Sequence, residues 1–548
     1  MTAIKTPLQM LEHWAATFPD QVYLRQSTGS DWIDYSWSQV ADRVKRLATY
    51  IVKKEYPAGS RIAIWSSNSA DWFIADLAIM LSGNISVPVY PAQDLETAGY
   101  ILKHAEPKML FAGQFEQAAN LREVLPEQTD TVAIRGATSE CDVSLEVIIA
   151  ETASQRAFPQ PALDDVCTII YSSGTSGNPK GVMHSYRSVS ETAPLLAATY
   201  GRPKYEAEGD ERESAISYLP LSHAAERSLL EITSLYLNSR VSISAGLEFF
   251  AKEIHDTQPT FFGAVPRIWH KFKEGVEAAL AAQGKSIETD ADRLMVREML
   301  GLGQTKTCIT GSAPVAAALH QWYAAIGLQL RESYSSTETF AHGTYWNSDD
   351  PAIPGCVGKP CLGVEVKLDE NNEILFKSPS LMKGYYKEPE KTAEVIKDGW
   401  YASGDLGRMD ENGNLWITGR VGSIFKTSKG KFINPEKLER EIYKLPSVDQ
   451  ACVFGHGMAQ PVAVVNVAES AAGKTDDEIK AYFTEELGKL NDALPAHERM
   501  SALLVERKAW TVDGGVLTPT LKIKRKALEG AYRAKLGDSV SGVIVEEG

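Results

Sequence analysis

Apolar positions follow two alternating patterns along the chain up to about residue 419. Short runs rich in β-branched residues, bounded by Gly, Pro or Asn, alternate with longer segments of helical period. Residues 62–65 are typical of a strand, residues 72–81 of a helix, and residues 85–89 of a strand in which Pro88 favours a sheet edge or a strand end. This alternation predicts an α/β fold in which helices cover largely buried sheets.

The pattern changes beyond residue 419. A segment rich in Lys and Gly at residues 426–431 precedes a predicted helix at 436–445 and a predicted strand at 451–454. We therefore predict two domains. A large N-terminal domain of packed β-sheets and helices covers residues 1–419, and a small α+β C-terminal domain covers residues 420–548.

Charge and composition narrow the class of protein. The 548 residues include 71 acidic and 56 basic side chains, so a net charge of −15 makes nucleic acid an unexpected partner. Six scattered cysteines without a C-x-x-C pair indicate a reducing, cytoplasmic compartment rather than a zinc site. We expect no secretion signal and no transmembrane segment, because the most apolar stretch, residues 72–89, is interrupted by Asp76 and by the turn at 82–84. Any membrane contact would be peripheral, and the oligomeric state stays open.

The most informative motif follows a predicted buried strand at residues 167–171. The string YSSGTSGNPKG at 171–181 combines backbone N–H groups, small hydroxyls and one lysine, which together suit a phosphate cradle. It is not a Walker A loop, because Pro179 precedes Lys180 and Gly181 follows it. By composition alone such a cluster is more often an ordinary loop, whereas the full ordered string favours phosphate binding.

A second cluster, YSSTE at residues 334–338, follows a predicted strand at 328–330. Tyr334 can stack on a base, Thr337 can donate to a phosphate and Glu338 can hold Mg²⁺. Upstream, a strip without bulky side chains lets a flat ring approach the backbone; it consists of Gly311, Ser312 and Ala313. The alternative for the cluster is a solvated strand end.

Three further residues carry candidate chemistry. Asp405, in the string YASGD, is suited to clamp the two hydroxyls of a ribose, and Arg420, in ITGR, can offset phosphate charge. Lys522 follows the string TPTL and is a cation on a lightly packed segment. Each has a simpler alternative, namely a turn aspartate, a surface arginine and a solvated lysine.

Five strings occur in a fixed order along the chain, namely YSSGTSGNPKG, YSSTE, YASGD, GR and TLKIKR. In this order they resemble the motifs of the adenylate-forming (AMP-binding) superfamily, which includes acyl-CoA synthetases, luciferases and nonribosomal-peptide adenylation domains. The resemblance extends over residues 7–528. It implies a two-step ligase reaction that uses ATP, Mg²⁺ and a carboxylic acid. It also implies that the small C-terminal domain is mobile and rotates between the steps.

The resemblance implies a role for each matched residue of the large domain. The loop that contains Thr175, Ser176, Gly177 and Lys180 would hold the ATP phosphates. Thr337 would bind the α-phosphate and Glu338 the Mg²⁺, while Tyr334 and the strip at 311–313 would enclose the adenine.

Further roles fall on the residues from Asp405 onward. Asp405 would bind the ribose hydroxyls, and Arg420 would lie near ribose or phosphate. Lys522 would bridge the carboxylate and the α-phosphate during adenylation, whereas Gly430 would replace it after rotation and open a path for the thiol of CoA. The pivot position within residues 419–423 stays open.

The strings SYLPLSH at 217–223 and VPRIW at 265–269 are similar to the long-chain branch of this superfamily, in which His223 would line the junction between carboxylate and tail. The alternative for His223 is a structural histidine after a strand. Ala224 and Ala225 replace bulkier residues common in that branch, so the chain length of the acid stays open.

The resulting prediction is a long-chain fatty acid:CoA ligase that forms acyl-AMP from a fatty acid and ATP, then an acyl-CoA thioester, and releases AMP and pyrophosphate. One alternative is an adenylating ligase with another acyl acceptor, such as a carrier protein. The lack of a long insertion between residues 338 and 405 favours CoA. The other alternative is a catalytically silent acyl- or nucleotide-binding protein, which would not require the full set of Lys180, Glu338, Asp405, Arg420 and Lys522.

Overall fold

The computed structural model describes residues 4–546, except for residues 156, 173–177, 203, 205–211, 314, 347–352, 354, 446, 469–472, 512–513, 519–521 and 537–539. The chain forms two compact units. The first comprises Met1–Val366 and Phe376–Tyr401, and the second comprises Lys367–Leu375 and Ala402–Gly548. Neither division falls at residue 419, and the domain boundary expected there stays a prediction.

The regular elements alternate along the chain. The strands are β1 (Val22–Ser27), β2 (Trp32–Ser36), β3 (Arg61–Trp65), β4 (Ile85–Val89), β5 (Met109–Ala112), β6 (Asp130–Ala133), β7 (Val143–Ser144), β8 (Val166–Ser172), β9 (Lys180–Ser185), β10 (Ser214–Ser217), β11 (Arg240–Ile243), β12 (Phe261–Ala264), β13 (Thr307–Gly311), β14 (Leu330–Tyr334), β15 (Thr344–Tyr345), β16 (Lys359–Pro360), β17 (Glu365–Leu368), β18 (Glu373–Lys377), β19 (Gly384–Tyr385), β20 (Ile396–Lys397), β21 (Trp400–Met409), β22 (Leu415–Arg420), β23 (Phe425–Lys426), β24 (Phe432–Ile433), β25 (Val448–Phe454), β26 (Val462–Val467), β27 (Ala502–Glu506) and β28 (Gly542–Glu546).

The helices lie between these strands. They are α1 (Pro7–Thr17), α2 (Trp37–Val52), α3 (Ala70–Leu81), α4 (Leu95–Ala105), α5 (Leu121–Val124), α6 (Leu145–Glu151), α7 (Tyr186–Thr199), α8 (Ala224–Glu226), α9 (Thr233–Leu237), α10 (Phe250–Thr257), α11 (Pro266–Ala282), α12 (Asp290–Met299), α13 (Ala317–Ala325), α14 (Pro389–Val395), α15 (Pro435–Ile442), α16 (Asp476–Ala493) and α17 (Arg525–Tyr532). Short 3₁₀ turns occupy Ala118–Asn120, Thr337–Thr339 and Val421–Ser423, and Arg227–Ile232 is a π-helix.

Three sheets organise the first unit. The largest has eight strands in the order β19-β9-β8-β4-β3-β5-β6-β7, parallel from β8 to β7 and antiparallel at β9 and β19. A second has the order β12-β13-β14-β15-β16, and a third the order β10-β11-β1-β2. All residues of β5 and of α3 are buried, as expected for parallel strands covered by helices on both faces. The α/β fold class of the sequence prediction is confirmed.

The strand-helix-strand unit predicted at residues 62–89 is confirmed as β3-α3-β4. The sheet-edge option for Pro88 is wrong, because β4 lies between β3 and β8 in the largest sheet. Pro88 is the penultimate residue of β4, and the pairing of β4 with β8 is at Ser86, so the missing N–H of Pro88 does not interrupt it. The strand-end option is the correct one.

The second unit has its own α+β core. Strands β25 and β26 pair antiparallel, while β26, β27 and β28 are parallel. One cluster packs α15 and α16 against the sheet, with Leu438, Phe483 and Leu503 fully buried. Another cluster buries Leu528 of α17 and Leu504 of β27. In the part of the chain that the structure describes, no helix combines the length and apolarity that a bilayer crossing needs.

Candidate active site

Strands β8 and β9 bracket the predicted phosphate loop. They pair antiparallel, with Ser172 opposite Lys180. The predicted loop residues Thr175, Ser176 and Gly177 lie outside the described residues. Lys180 is half-buried, and its Nζ atom lies 4.8 Å from the ring centroid of Tyr385. The lysine is therefore held against an aromatic face at the base of the loop.

Thr337 and Glu338 lie together in the 3₁₀ turn that follows β14. His184 Nε2 is 2.8 Å from the carbonyl oxygen of Thr337. Burial lowers the pKa of His184 to about 4, so the ring is neutral at pH 7 and donates this hydrogen bond from Nε2. Sequence reasoning missed His184, although it lies four residues after Lys180 in one strand and so shares its face by the twofold period.

The carboxylate of Glu338 accepts a hydrogen bond from the hydroxyl of Tyr385 at 2.9 Å. Its carbonyl oxygen accepts from the backbone N–H of Met382 at 2.8 Å. Among the described residues, no cluster of three or more His, Cys, Asp and Glu side chains could hold a metal ion. A single carboxylate fits Mg²⁺, which retains waters and takes further oxygens from substrate phosphates.

The predicted adenine strip ends one strand and Tyr334 ends the next. Gly311 and Tyr334 are the last residues of the parallel strands β13 and β14, so both lie at the carboxyl edge of that sheet. A Cβ atom at Gly311 would lie 2.5 Å from the carbonyl oxygen of Ser333, which excludes any larger residue. Ser312 has a φ of +70°, and Ser312 and Ala313 are exposed. The backbone of the strip is thus accessible beside Tyr334.

His223 is the N-cap of α8. Its Nδ1 atom accepts a hydrogen bond from the backbone N–H of Ala225 at 3.2 Å. Nδ1 therefore carries no proton, and the neutral ring has its proton on Nε2. The ring of Tyr90 approaches the imidazole edge-on, with 6.4 Å between the ring centroids. His223 thus has a fixed tautomer that suits it to donate from Nε2.

The segment that carries His223 is held by Glu226, to which the sequence analysis assigned no role. Its Oε1 accepts from the hydroxyl of Ser217 at 2.8 Å and from the backbone N–H of Tyr218 at 3.2 Å. Burial raises the pKa of Glu226 to about 8. Asn68 holds the same segment through Ser217 Oγ at 2.8 Å and the carbonyl oxygen of Leu219 at 2.7 Å.

A buried ion pair anchors the π-helix that follows α8. The guanidinium of Arg227 lies 2.6 Å from each carboxylate oxygen of Asp76 on α3, and both side chains are fully buried. Glu231 approaches Arg227 Nε at 3.4 Å, and burial next to Asp76 raises the pKa of Glu231 well above its usual value. The π-helix is an uncommon element that often accompanies a functional site.

The second unit carries the remaining predicted residues. Asp405 and Arg420 face each other across the antiparallel pair β21 and β22, and Arg420 Nε lies 2.7 Å from Asp405 Oδ1. The structure therefore brings these two residues together as an ion pair. The backbone N–H of Asp405 donates to Ser403 Oγ at 3.1 Å, which holds the strand at this point.

Gly430 lies in the turn between β23 and β24, with a φ of +76°. Its N–H donates to the carbonyl oxygen of Thr427 at 2.9 Å. Since glycine adopts this φ at no steric cost, Gly430 is suited to this turn whatever its role toward a thiol.

Lys522 is exposed, and its backbone N–H donates to Thr518 Oγ1 at 3.0 Å. Three residues further on, Arg525 binds two glutamates of α15, with Arg525 Nη2 at 3.2 Å from Glu436 and at 3.0 Å from Glu439. This half-buried anchor fixes the start of α17 next to the lysine.

Comparisons with known proteins bear on the family and the fold. The family model of AMP-binding enzymes matches residues 11–386, and that of the AMP-binding enzyme C-terminal domain matches residues 423–539. A long-chain-fatty-acid–CoA ligase of Mycobacterium bovis is 26% identical over 94% of this chain and 94% of its own length. Long-chain-fatty-acid–CoA ligase 1 of Homo sapiens is 28% identical over 96% of this chain and 84% of its own length.

Among solved structures, o-succinylbenzoate CoA synthetase from Bacillus subtilis, in complex with its acyl-adenylate intermediate, superposes with a TM-score of 0.75. It is 18% identical and covers 98% of this chain and 99% of its own. At this level of identity the likeness shows a shared fold.

Proposed function

The chain belongs to the AMP-binding enzyme family, and we propose that it is a long-chain fatty acid:CoA ligase. It would form acyl-AMP from a long-chain fatty acid and ATP with Mg²⁺, then transfer the acyl group to CoA and release AMP and pyrophosphate. The observation that carries the proposal is that Tyr385 contacts both Lys180 and Glu338, while Thr337, next to Glu338, is bonded by His184 from the strand that begins with Lys180.

The chemistry of adenylation explains why these groups suffice. When a carboxylate attacks the α-phosphorus, negative charge accumulates on the phosphoryl oxygens, so fixed cations and donors supply most of the catalysis. Lys180 would bind the phosphates and Thr337 would donate to the α-phosphate. Glu338 would hold Mg²⁺, which neutralises phosphate charge when bound. No nucleophile from the protein is required.

The remaining residues would complete the two half-reactions. Tyr334 and the strip at 311–313 would enclose the adenine, Asp405 would hold the ribose and Arg420 would lie near ribose or phosphate. Lys522 would bridge the carboxylate and the α-phosphate in the first half-reaction. We further propose that residues 420–548 rotate against residues 1–419 between the steps, so that Gly430 replaces Lys522 and leaves room for the thiol of CoA.

The fatty-acid assignment draws on two lines of support. The relatives from Mycobacterium bovis and Homo sapiens are both named as long-chain-fatty-acid–CoA ligases. The tautomer of His223 suits it to donate from Nε2 to an acyl carboxylate, next to a segment held by Glu226. The contacts of His223 favour a carboxylate as the reacting group, and the names of the two relatives favour a long-chain tail.

The test is acid-dependent exchange of pyrophosphate into ATP with saturated acids from acetate to stearate, followed by detection of thioester after CoA is added. Exchange and thioester formation that both peak with long-chain acids are expected. Exchange without thioester would move the assignment to another acyl acceptor. No exchange with any acid, while ATP still binds, would identify a silent binding protein. Glu338→Gln serves as the inactive control.

A further inference from the structure

One buried side chain contacts both the predicted phosphate-binding lysine and the predicted magnesium ligand. The hydroxyl of Tyr385 donates to Glu338 Oε1 at 2.9 Å, and its ring faces Lys180 Nζ at 4.8 Å from the centroid. We propose that Tyr385 is a positioning residue that sets Glu338 and Lys180 for the magnesium complex of ATP. The inference rests on the proposed function, because the roles of these two residues belong to it.

The position of Tyr385 is set by the strand that begins with Lys180. Tyr385 is 4% exposed, and in the pairing of β19 with β9 it lies opposite Val182. On either side, the backbone N–H groups of Lys383 and Tyr386 donate to carbonyl oxygens of β9 at 2.8 Å and 2.7 Å. The N–H of Tyr385 itself donates to Thr392 Oγ1 at 2.9 Å. The ring therefore has little freedom relative to Lys180.

The hydroxyl contributes orientation without charge. A tyrosine hydroxyl is a neutral donor, so it occupies Oε1 of Glu338 and leaves the full negative charge of the carboxylate for a cation at the other oxygen. A lysine or arginine in the same place would neutralise that charge and compete with Mg²⁺. Met382, three residues before Tyr385, holds the backbone of Glu338 as well, so β19 and the segment before it fix both ends of the residue.

The ring has the complementary effect on Lys180. An ammonium over an aromatic face is held by the quadrupole of the ring, and the N–H groups that do not face the ring stay available for phosphate oxygens. A carboxylate partner would instead bind those donors and compete with the phosphates. Tyr385 thus contacts both the cation of Lys180 and the anion of Glu338 without adding a charge of its own.

Two substitutions separate these effects. Tyr385→Phe keeps the ring beneath Lys180 but removes the hydroxyl, whereas Tyr385→Leu removes both. Tyr386→Phe is the matched control, because it removes the hydroxyl of the next tyrosine, whose ring packs edge-on against His104 with 5.6 Å between centroids. Thermal melting of each variant shows whether the fold is retained.

The measurement is calorimetric titration of the full-length protein with ATP, with and without Mg²⁺. For Tyr385→Phe we expect the ATP affinity without Mg²⁺ to match that of the wild type. The factor by which Mg²⁺ increases the ATP affinity should fall about tenfold, as for loss of a hydrogen bond to a charged group. Tyr385→Leu should in addition weaken ATP without Mg²⁺ by several-fold, roughly the strength of a cation–π contact. For each variant, the ratio of the ATP affinities with and without Mg²⁺ does not depend on the fraction of protein that is folded.

A double variant tests the coupling. With Glu338→Gln in place, Tyr385→Phe should no longer change the effect of Mg²⁺. The proposal is overturned if Mg²⁺ increases the ATP affinity by the same factor in the wild type and in Tyr385→Phe. It is also overturned if Tyr385→Phe and Tyr386→Phe change this factor equally. If the wild type binds ATP with Mg²⁺ but exchanges no pyrophosphate, the proposed function fails while the role of Tyr385 is still tested by binding.

Discussion

Glu226→Gln tests whether a neutral carboxylic acid holds the segment that carries His223. Glu226 accepts from Ser217 Oγ and from the N–H of Tyr218, and burial raises its pKa from 4.5 to about 8. Glutamine has nearly the same shape and retains an acceptor oxygen at Oε1, but it does not titrate. The substitution therefore removes the proton equilibrium and keeps the two hydrogen bonds.

The magnitude follows from the two pKa values. Because the folded protein binds this proton more tightly than the unfolded chain, its stabilising effect is complete below pH 4.5 and is lost as the pH rises through about 8. One pKa unit corresponds to about 1.4 kcal/mol, so the full effect approaches about 5 kcal/mol for this fully buried group. Between pH 4.5 and pH 8 the contribution of Glu226 to the free energy of unfolding therefore falls by about 1.4 kcal/mol per pH unit.

The assay is urea unfolding of the wild type and Glu226→Gln from pH 5 to pH 9, with Glu390→Gln on the exposed face of α14 as the control. We expect the free energy of unfolding of the wild type to decrease relative to that of Glu226→Gln by about 4 kcal/mol between pH 5 and pH 8. The control should differ from the wild type by a constant amount. A constant difference for Glu226→Gln as well would refute the argument, because Glu226 would then be ionised at all these pH values.

Three further outcomes are expected. Lys522→Ala should abolish adenylation while thioester formation from supplied acyl-AMP largely survives, and equal loss of both half-reactions would contradict the proposed rotation. Gly430→Leu should impair thioester formation more than adenylation; Gly430→Asn, which tolerates the φ of +76°, separates obstruction from backbone strain in the same two assays. Arg227→Met should lower the free energy of unfolding by about 3–5 kcal/mol, because it leaves Asp76 buried without its cation. Adding Asp76→Asn to Arg227→Met should recover part of this lost stability. A loss below about 1 kcal/mol in urea unfolding would show that this buried pair adds little.

Much of the fold could be predicted because it depends on local periodicity. The strand predicted at residues 451–454 lies within β25, and the helix predicted at 436–445 is α15, which begins at Pro435 and ends at Ile442. The strand predicted at 328–330 is shifted, since β14 begins at Leu330 and extends to Tyr334. Polar residues at the end of β14 weaken the apolar pattern there, while pairing with β13 continues the strand regardless.

The candidate residues named from the sequence lie within short motifs, whereas the residues that sequence reasoning missed meet them across the fold. Asp405 and Arg420 pair because β21 and β22 are neighbours in sequence. His184 and Tyr385, by contrast, reach Thr337 and Glu338 only through the register of β9 with β8 and with β19. No local pattern specifies a register between strands so far apart along the chain.

The supports of the site in the first unit share one physical feature, which is that they are neutral donors. His184 donates to Thr337 as an uncharged ring, since burial lowers its pKa to about 4. Tyr385 donates to Glu338 through a hydroxyl. If a charged side chain held Glu338 instead, it would neutralise the carboxylate before any nucleotide binds. Under the proposed function, these neutral supports would leave the charges of Lys180 and Glu338 available for the phosphates of ATP and for Mg²⁺.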